Sequence, residues 1–170
     1  MTNDSGNEEQ DPAAVSPIPH GYTALTPFLV VAGAAKAIDF YCEVFGASVV
    51  NRTDGPDGSV PHAELDFGTG RLQLGDPSPG HGLIAPGDSA AVNHSTMTYC
   101  TNVDEVFQRA VKAGAKVIAE PATFVTGDRY GVVIDPFGHR WAIMTKVEEV
   151  SPEEAERRVQ QWLADQASGN

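Results

Sequence analysis

Alternation between apolar and polar positions begins at about residue 21 and divides the chain into short segments. "YTALTPFLVV" predicts a strand, and "AAKAIDFYCEVFG" predicts a helix, because Ala37, Ile38, Tyr41, Cys42 and Phe45 follow the period of one helical face and Gly46 ends it. "ASVVNR", "SVPHAELDF" and "RLQLG" predict three strands, separated by the turn-formers "TDGPDG" and "GTG". The unit is β-α-β-β-β.

The same order then returns. "HSTMTYC" predicts a strand and "VDEVFQRAVKAG" a helix with Val103, Val106, Phe107 and Ala110 on one face, followed by strands at "AKVIAE", "RYGVVI" and "HRWAIM". One register of 68 residues aligns the copies, placing Gly46 on Gly114, Ile38 on Val106, Val49 on Val117 and Gly70 on Gly138. The stretch 76–92 follows neither period and is dense in Gly, Pro, Ser and Asp, as expected of a linker. Beyond the second copy, "SPEEAERRVQQWLADQ" carries Ser151, Pro152 and Glu154 in capping-box order and predicts a terminal helix docked through Val159, Trp162 and Leu163. The predicted organisation is a disordered acidic tail at 1–20, module one at 21–75, the linker at 76–92, module two at 93–147, and a C-terminal helix and tail at 148–170.

Composition narrows the function classes. The 170 residues carry a formal charge of −12 with only 11 Lys and Arg, which argues against a nucleic-acid partner. Much of the acid excess lies in the two ends, so solubility explains it better than steering of a cationic ligand. The start lacks the charge and apolar blocks of a secretory signal, and no apolar run is long enough to span a bilayer, so the expectation is a cytoplasmic protein with no membrane association. Cys42 and Cys100 are widely separated and form no CxxC pair, which fits buried thiols in a reducing compartment.

Two consecutive β-α-β-β-β units, with "AIDFYCEVFGA" in the first and "DRYGVVIDPFGHRW" in the second, resemble the vicinal oxygen chelate superfamily. The resemblance covers about residues 22–146 and is most specific to the glyoxalase/bleomycin-resistance branch, including the phosphonate-cluster-protein-like group. It implies an α+β fold in which two tandem βαβββ modules form curled mixed sheets around a cavity, commonly in a homodimer. It does not fix the chemistry, because the superfamily includes lyases, isomerases, dioxygenases, thiol transferases and proteins that only sequester a drug.

Metal-dependent relatives hold a divalent ion with His, Glu or Gln from the first and last strands of both units. Transferred position by position, the resemblance puts these ligands at Thr26, at Leu74 and Ala142 four residues after the turn glycines, and at His94, or at Ser95 if that connection is one residue shorter. A single imidazole cannot hold zinc or iron, which need about three protein ligands, so no metal and no cofactor are expected. One candidate group competes with that reading. His62, Glu64 and Asp66 share one face of their strand, where His62 and Glu64 could chelate an ion with His94 or move a proton; the same alternation also describes a solvated face opposite Ala63, Leu65 and Phe67.

Without a metal, Met97, Tyr99, Phe124, Tyr130 and Trp141 are the candidate ligand-binding residues, offering large and adaptable contact area, with core packing the competing explanation for Trp141. Arg129 and Arg140 could anchor a carboxylate or phosphate, or lie on the surface. No nucleophile motif is present. The expected function is metal-independent binding of a hydrophobic or aromatic small molecule, in drug resistance or a secondary-metabolite pathway. The alternatives are a lyase, isomerase or dioxygenase with a displaced metal site, and a non-catalytic homodimeric scaffold.

Overall fold

The computed structural model describes residues 15–87 and 92–168, so the tail expected at 1–20 falls largely, and the linker expected at 76–92 partly, outside the described residues. Module one runs β1 (Phe28–Val30), α1 (Ala34–Phe45), β2 (Ser48–Thr53), β3 (His62–Asp66) and β4 (Arg71–Gly75). Module two repeats it as β5 (Thr96–Tyr99), α2 (Val103–Lys112), β6 (Lys116–Thr123), β7 (Asp128–Ile134) and β8 (Arg140–Lys146), and α3 (Pro152–Ser168) follows. The strand orders are β1-β4-β3-β2 and β5-β8-β7-β6. In each sheet the first strand pairs parallel with the last and the other pairs are antiparallel, giving two mixed sheets of identical topology and an α+β fold.

Local sequence accounts for the helix ends. Gly46 adopts φ 71° and donates its N–H to the Cys42 carbonyl, a left-handed C-terminal cap that a side chain would strain. The Asn102 side chain accepts from Glu105 N–H at the start of α2, where Asp104 and Glu105 also favour the positive end of the helix dipole. At α3 only half of the predicted capping box forms: Ser151 Oγ accepts from Glu154 N–H at 3.2 Å, but the Glu154 carboxylate turns away to Arg157 and Arg158. The stripe of α3 docks lightly, with Trp162 edge-on to Phe124 at 5.3 Å and Leu163 still 48% exposed.

One core serves both modules. Leu29, Ala63, Leu65, Leu72 and Leu74 pack beneath the α1 side chains, and Val133 and Ile143 pack with Phe107 of α2. Trp141 joins the halves, with ring centroids 4.6 Å from Phe45, 5.3 Å from Tyr41 and 6.1 Å from Phe67. Asp135 fastens the same junction: its Oδ2 accepts from Tyr41 Oη at 2.8 Å and Trp141 Nε1 at 2.9 Å, while Oδ1 accepts the Phe137 and His139 N–H groups. Burial first, and the Asp135 carboxylate second, push the Tyr41 phenol well above its ordinary pKa.

The internal register needs correction. An offset of 68 does relate β2 to β6 and β3 to β7, since Ser48 pairs with Asp66 as Lys116 pairs with Ile134. In the last hairpins, however, Asp66 pairs with Arg71 whereas Ile134 pairs with Arg140, so the turn in module two is one residue longer. Beyond it the offset is 69: Gln73, which pairs with Phe28 and Glu64, corresponds to Ala142, which pairs with Met97 and Val132. Because side chains alternate across a strand, that one residue changes which face a position occupies.

Candidate functional site

Each sheet has one face against the helices and one face open. In module one Leu72 and Leu74 are buried against α1, while Arg71 and Gln73 of β4 and His62, Glu64 and Asp66 of β3 occupy the open face. In module two Trp141 and Ile143 belong to the core, whereas Ala142 and Val132 lie on the other face. Leu74 therefore points away from any site on the open face, and the position matching Ala142 is Gln73. The same shift places Ser95, two residues before Met97, opposite Thr26, two residues before Phe28.

The four corresponding positions are thus Thr26, Gln73, Ser95 and Ala142. Thr26 Oγ1 donates to the Thr23 carbonyl at 3.3 Å, and Ser95 Oγ accepts from Arg140 Nη1 at 2.8 Å. Two engaged hydroxyls, one amide and a methyl do not fit the donor set that zinc or iron requires. His94 lies elsewhere: it bonds Asn93 and sits with His139 at a ring separation of 5.9 Å, lining a cavity of about 520 Å3 beside β1. His139 is 3% exposed, with Nε2 at 3.1 Å from the Val30 carbonyl and Nδ1 without a partner, and its burial lowers its pKa against the opposing pull of Asp135.

His62 and Glu64 do meet on the open face, Nε2 to Oε1 at 3.3 Å. Asp66 does not join them, because its Oδ1 accepts the Gly68 N–H at 2.6 Å and so serves the turn. Among the described residues no group of three or more His, Cys, Asp or Glu is arranged to hold a metal ion. The neighbouring Tyr22 hydroxyl first, then His62 and Arg71, hold the Glu64 carboxyl below the usual carboxylate range.

The aromatic candidates divide into two groups. Met97, Tyr99 and Trp141 gather on a cleft of about 310 Å3 between β5 and the β3–β4 hairpin, with Leu25, Phe67 and Arg71 on its other walls. Met97 and Tyr99 are 68% and 63% exposed, whereas Trp141 is 1% exposed and contributes only to the floor. Burial and the nearby Asp128 carboxylate raise the Tyr99 pKa, so its phenol is neutral at ordinary pH. Phe124 and Tyr130 lie elsewhere, packed edge-to-face at 6.3 Å with Phe124 in turn against Trp162 of α3.

Arg129 forms a two-pronged contact with Asp104, at 2.8 and 2.6 Å, and Arg140 holds Ser95, so both have partners. The cation on the cleft is Arg71, the counterpart of Arg140 under the corrected register. Among the described residues its Nε is buried without a partner, the Tyr22 ring lies 4.5 Å from its guanidinium carbon, and its nearest carboxylate contact is Glu64 at 3.7 Å. In the sequence "GTGRLQLG", nothing distinguishes this arginine from any other residue after a turn.

The family model of the glyoxalase/bleomycin resistance protein/dioxygenase superfamily matches residues 21–143. The chain belongs to this superfamily. Proteins similar to it include the uncharacterized proteins Mb0911c of Mycobacterium bovis and Rv0887c of Mycobacterium tuberculosis. Each is 41% identical over 152 residues, covering 86% of this chain and 95% and 85% of theirs, respectively. Among solved structures, TioX from Micromonospora sp. is 25% identical with a TM-score of 0.56, over 73% of this chain and 98% of TioX. The Listeria monocytogenes fosfomycin resistance protein FosX, complexed with Mn(II) and sulfate, shares the superfamily fold at a TM-score of 0.58 and 13% identity, over 81% of this chain and 97% of FosX. Among the described residues no helix is long and apolar enough to cross a membrane.

Proposed function

We propose that this superfamily member is a metal-independent binder of a hydrophobic or aromatic small molecule, acting in drug sequestration or a secondary-metabolite pathway in the cytoplasm. The observation that carries this reading is the cleft on β5, where Met97 and Tyr99 expose large adaptable side chains beside Leu25 and the Trp141 floor. The donor set Thr26, Gln73, Ser95 and Ala142 supports metal independence, because it cannot supply three strong ligands. The exposed apolar margin of Met97, Tyr99 and Leu25 favours a homodimer that covers part of it. The βαβββ hairpin motifs favour placement near the phosphonate-cluster-protein-like group.

The decisive experiment combines metal analysis of protein purified without chelator with tryptophan-fluorescence titration by aromatic antibiotics. Sub-stoichiometric metal together with saturable quenching is the expected result. Stoichiometric zinc, nickel, manganese or iron that disappears in Glu64→Ala would overturn metal independence, and no quenching by any aromatic ligand would favour a scaffold. The His62–Glu64 contact favours one second reading, an enzyme in which this imidazole and carboxylate move a proton on the open face of module one.

A further inference from the structure

Arg71, on the open face of module one, carries a buried donor without an acceptor among the described residues. Its side chain is 14% exposed and its Nε is buried with no acceptor. A guanidinium loses much hydration at such a site, and the loss is normally offset by two-pronged hydrogen bonding to an anion. Glu64 does not provide that: at 3.7 Å from Nη1 it lies beyond hydrogen-bond distance, and its Oε1 is engaged by His62. Asp66 pairs with Arg71 across the strands, but its Oδ1 is taken by the Gly68 N–H.

Arg71 reaches the cleft although its Nε is buried. Tyr22 covers one flat side of the guanidinium, a stacking contact that holds the plane without using its N–H groups. Gly21, at φ 83°, lies alongside Nη2 and Nε, where an added Cβ would come within 2.5 Å and 3.0 Å. Gly21 thus packs against that edge, which leaves the cleft-facing end of the guanidinium for an anion. Arg71 also lines the same cleft as Met97, Tyr99 and Trp141, so a charge and an apolar wall face one ligand-sized space.

We propose that Arg71 anchors the anionic group of an aromatic ligand, a carboxylate, sulfonate or phosphoryl oxygen, whose ring system rests on Met97 and Tyr99. This inference rests on the small-molecule-binding reading above and adds the ligand's charge. Arg129, held by Asp104, and Arg140, which donates to Ser95, do not line this cleft. Glu64 opposes the anion at short range and so tunes its affinity.

The test uses the full chain and two dyes with the same ring system, 1-anilinonaphthalene-8-sulfonate and the uncharged N-phenyl-1-naphthylamine, each titrated by fluorescence. Arg71→Gln is expected to weaken the sulfonate about 10-fold or more while changing the neutral dye less than about 2-fold, the scale of a charge-assisted hydrogen bond. Arg71→Lys should fall between, since it keeps the charge and loses the fork. Glu64→Gln should tighten the sulfonate, a gain that misfolding would not produce. Added salt should weaken the sulfonate more in the parent protein than in Arg71→Gln. Equal weakening of both dyes by Arg71→Gln, or no weakening of either, overturns the anchor while leaving the apolar cleft standing. If neither dye binds the parent protein, the small-molecule reading itself fails and the anchor with it.

Discussion

Replacing Asp135 with Ala is the perturbation that most directly probes how the two modules are held together. The carboxylate is 4% exposed and accepts from Tyr41 Oη and Trp141 Nε1, on side chains 0% and 1% exposed, and from two backbone N–H groups of its own turn. Removing it strands two buried side-chain donors at about 1–3 kcal/mol each. The relief of no longer burying a carboxylate offsets part of this, and breaking a buried charged network costs about 3–5 kcal/mol in comparable cases. For a chain of this size that loss is about 6–20 °C in Tm. Asp135→Asn keeps the shape and half of the acceptors, and should lose about 1–2 kcal/mol. Tyr41→Phe alone should lose about 1.5–3 kcal/mol, the range for a hydrogen bond to a charged group. Urea unfolding followed by far-UV circular dichroism measures all three, and the double variant Asp135→Ala with Tyr41→Phe should be non-additive by about 0.5–3 kcal/mol. A loss below about 1 kcal/mol for Asp135→Ala, or full additivity, would refute the view that this carboxylate clamps α1 to the second hairpin.

Two further expectations concern the same half of the molecule. Burial depresses the folded-state pKa of His139, so its contribution to stability is fully present above the unfolded value of about 6.5 and is lost as pH falls from there toward the folded pKa. Asp135 opposes this shift and His94 adds to it, so Tm measured between about pH 7.5 and 5.5 should decline in the parent and flatten in His139→Phe; parallel profiles would exclude a proton-linked role. Gly131→Ala would bring a Cβ to 2.6 Å from Cδ2 of the fully buried Phe107, so it should lower unfolding stability by about 1–3 kcal/mol through overpacking, and an unchanged denaturation midpoint would mean that the α2 interface yields more readily than its packing implies.

The amphipathic period around Ile38, Tyr41 and Phe45 and its counterpart at Val106 and Phe107 determine the two helices, because one apolar stripe can be buried in only one way. Strand alternation and glycine-rich turns likewise determine the order of elements and the doubling of the chain. Face and partnership were not legible. A turn longer by one residue at 135–139 moves the position that matches Ala142 from Leu74 to Gln73, and selects Ser95 rather than His94 as the position that matches Thr26. No local pattern reveals that shift, since it depends on which residues pair across the strands.

Trp141 and Asp135 read along the chain as a strand residue and a turn residue, yet Asp135 bonds Tyr41 from 94 positions away and Trp141 packs on the same ring at the module junction. Met97 and Tyr99 were recognisable as ligand-facing candidates from residue type alone, while Phe124 and Tyr130 were equally so and pack toward α3 instead. Arg71 looked like any residue after a turn; tertiary packing set it beside Tyr22 and Gly21, with the Glu64 carboxylate 3.7 Å away and beyond hydrogen-bond distance. The periodicity of the sequence thus determines which elements form, because burial of an apolar face is local information. Which side chains share the cleft, and which charge is left without a close partner, was decided by pairing register and module contact, which exist only once distant segments have met.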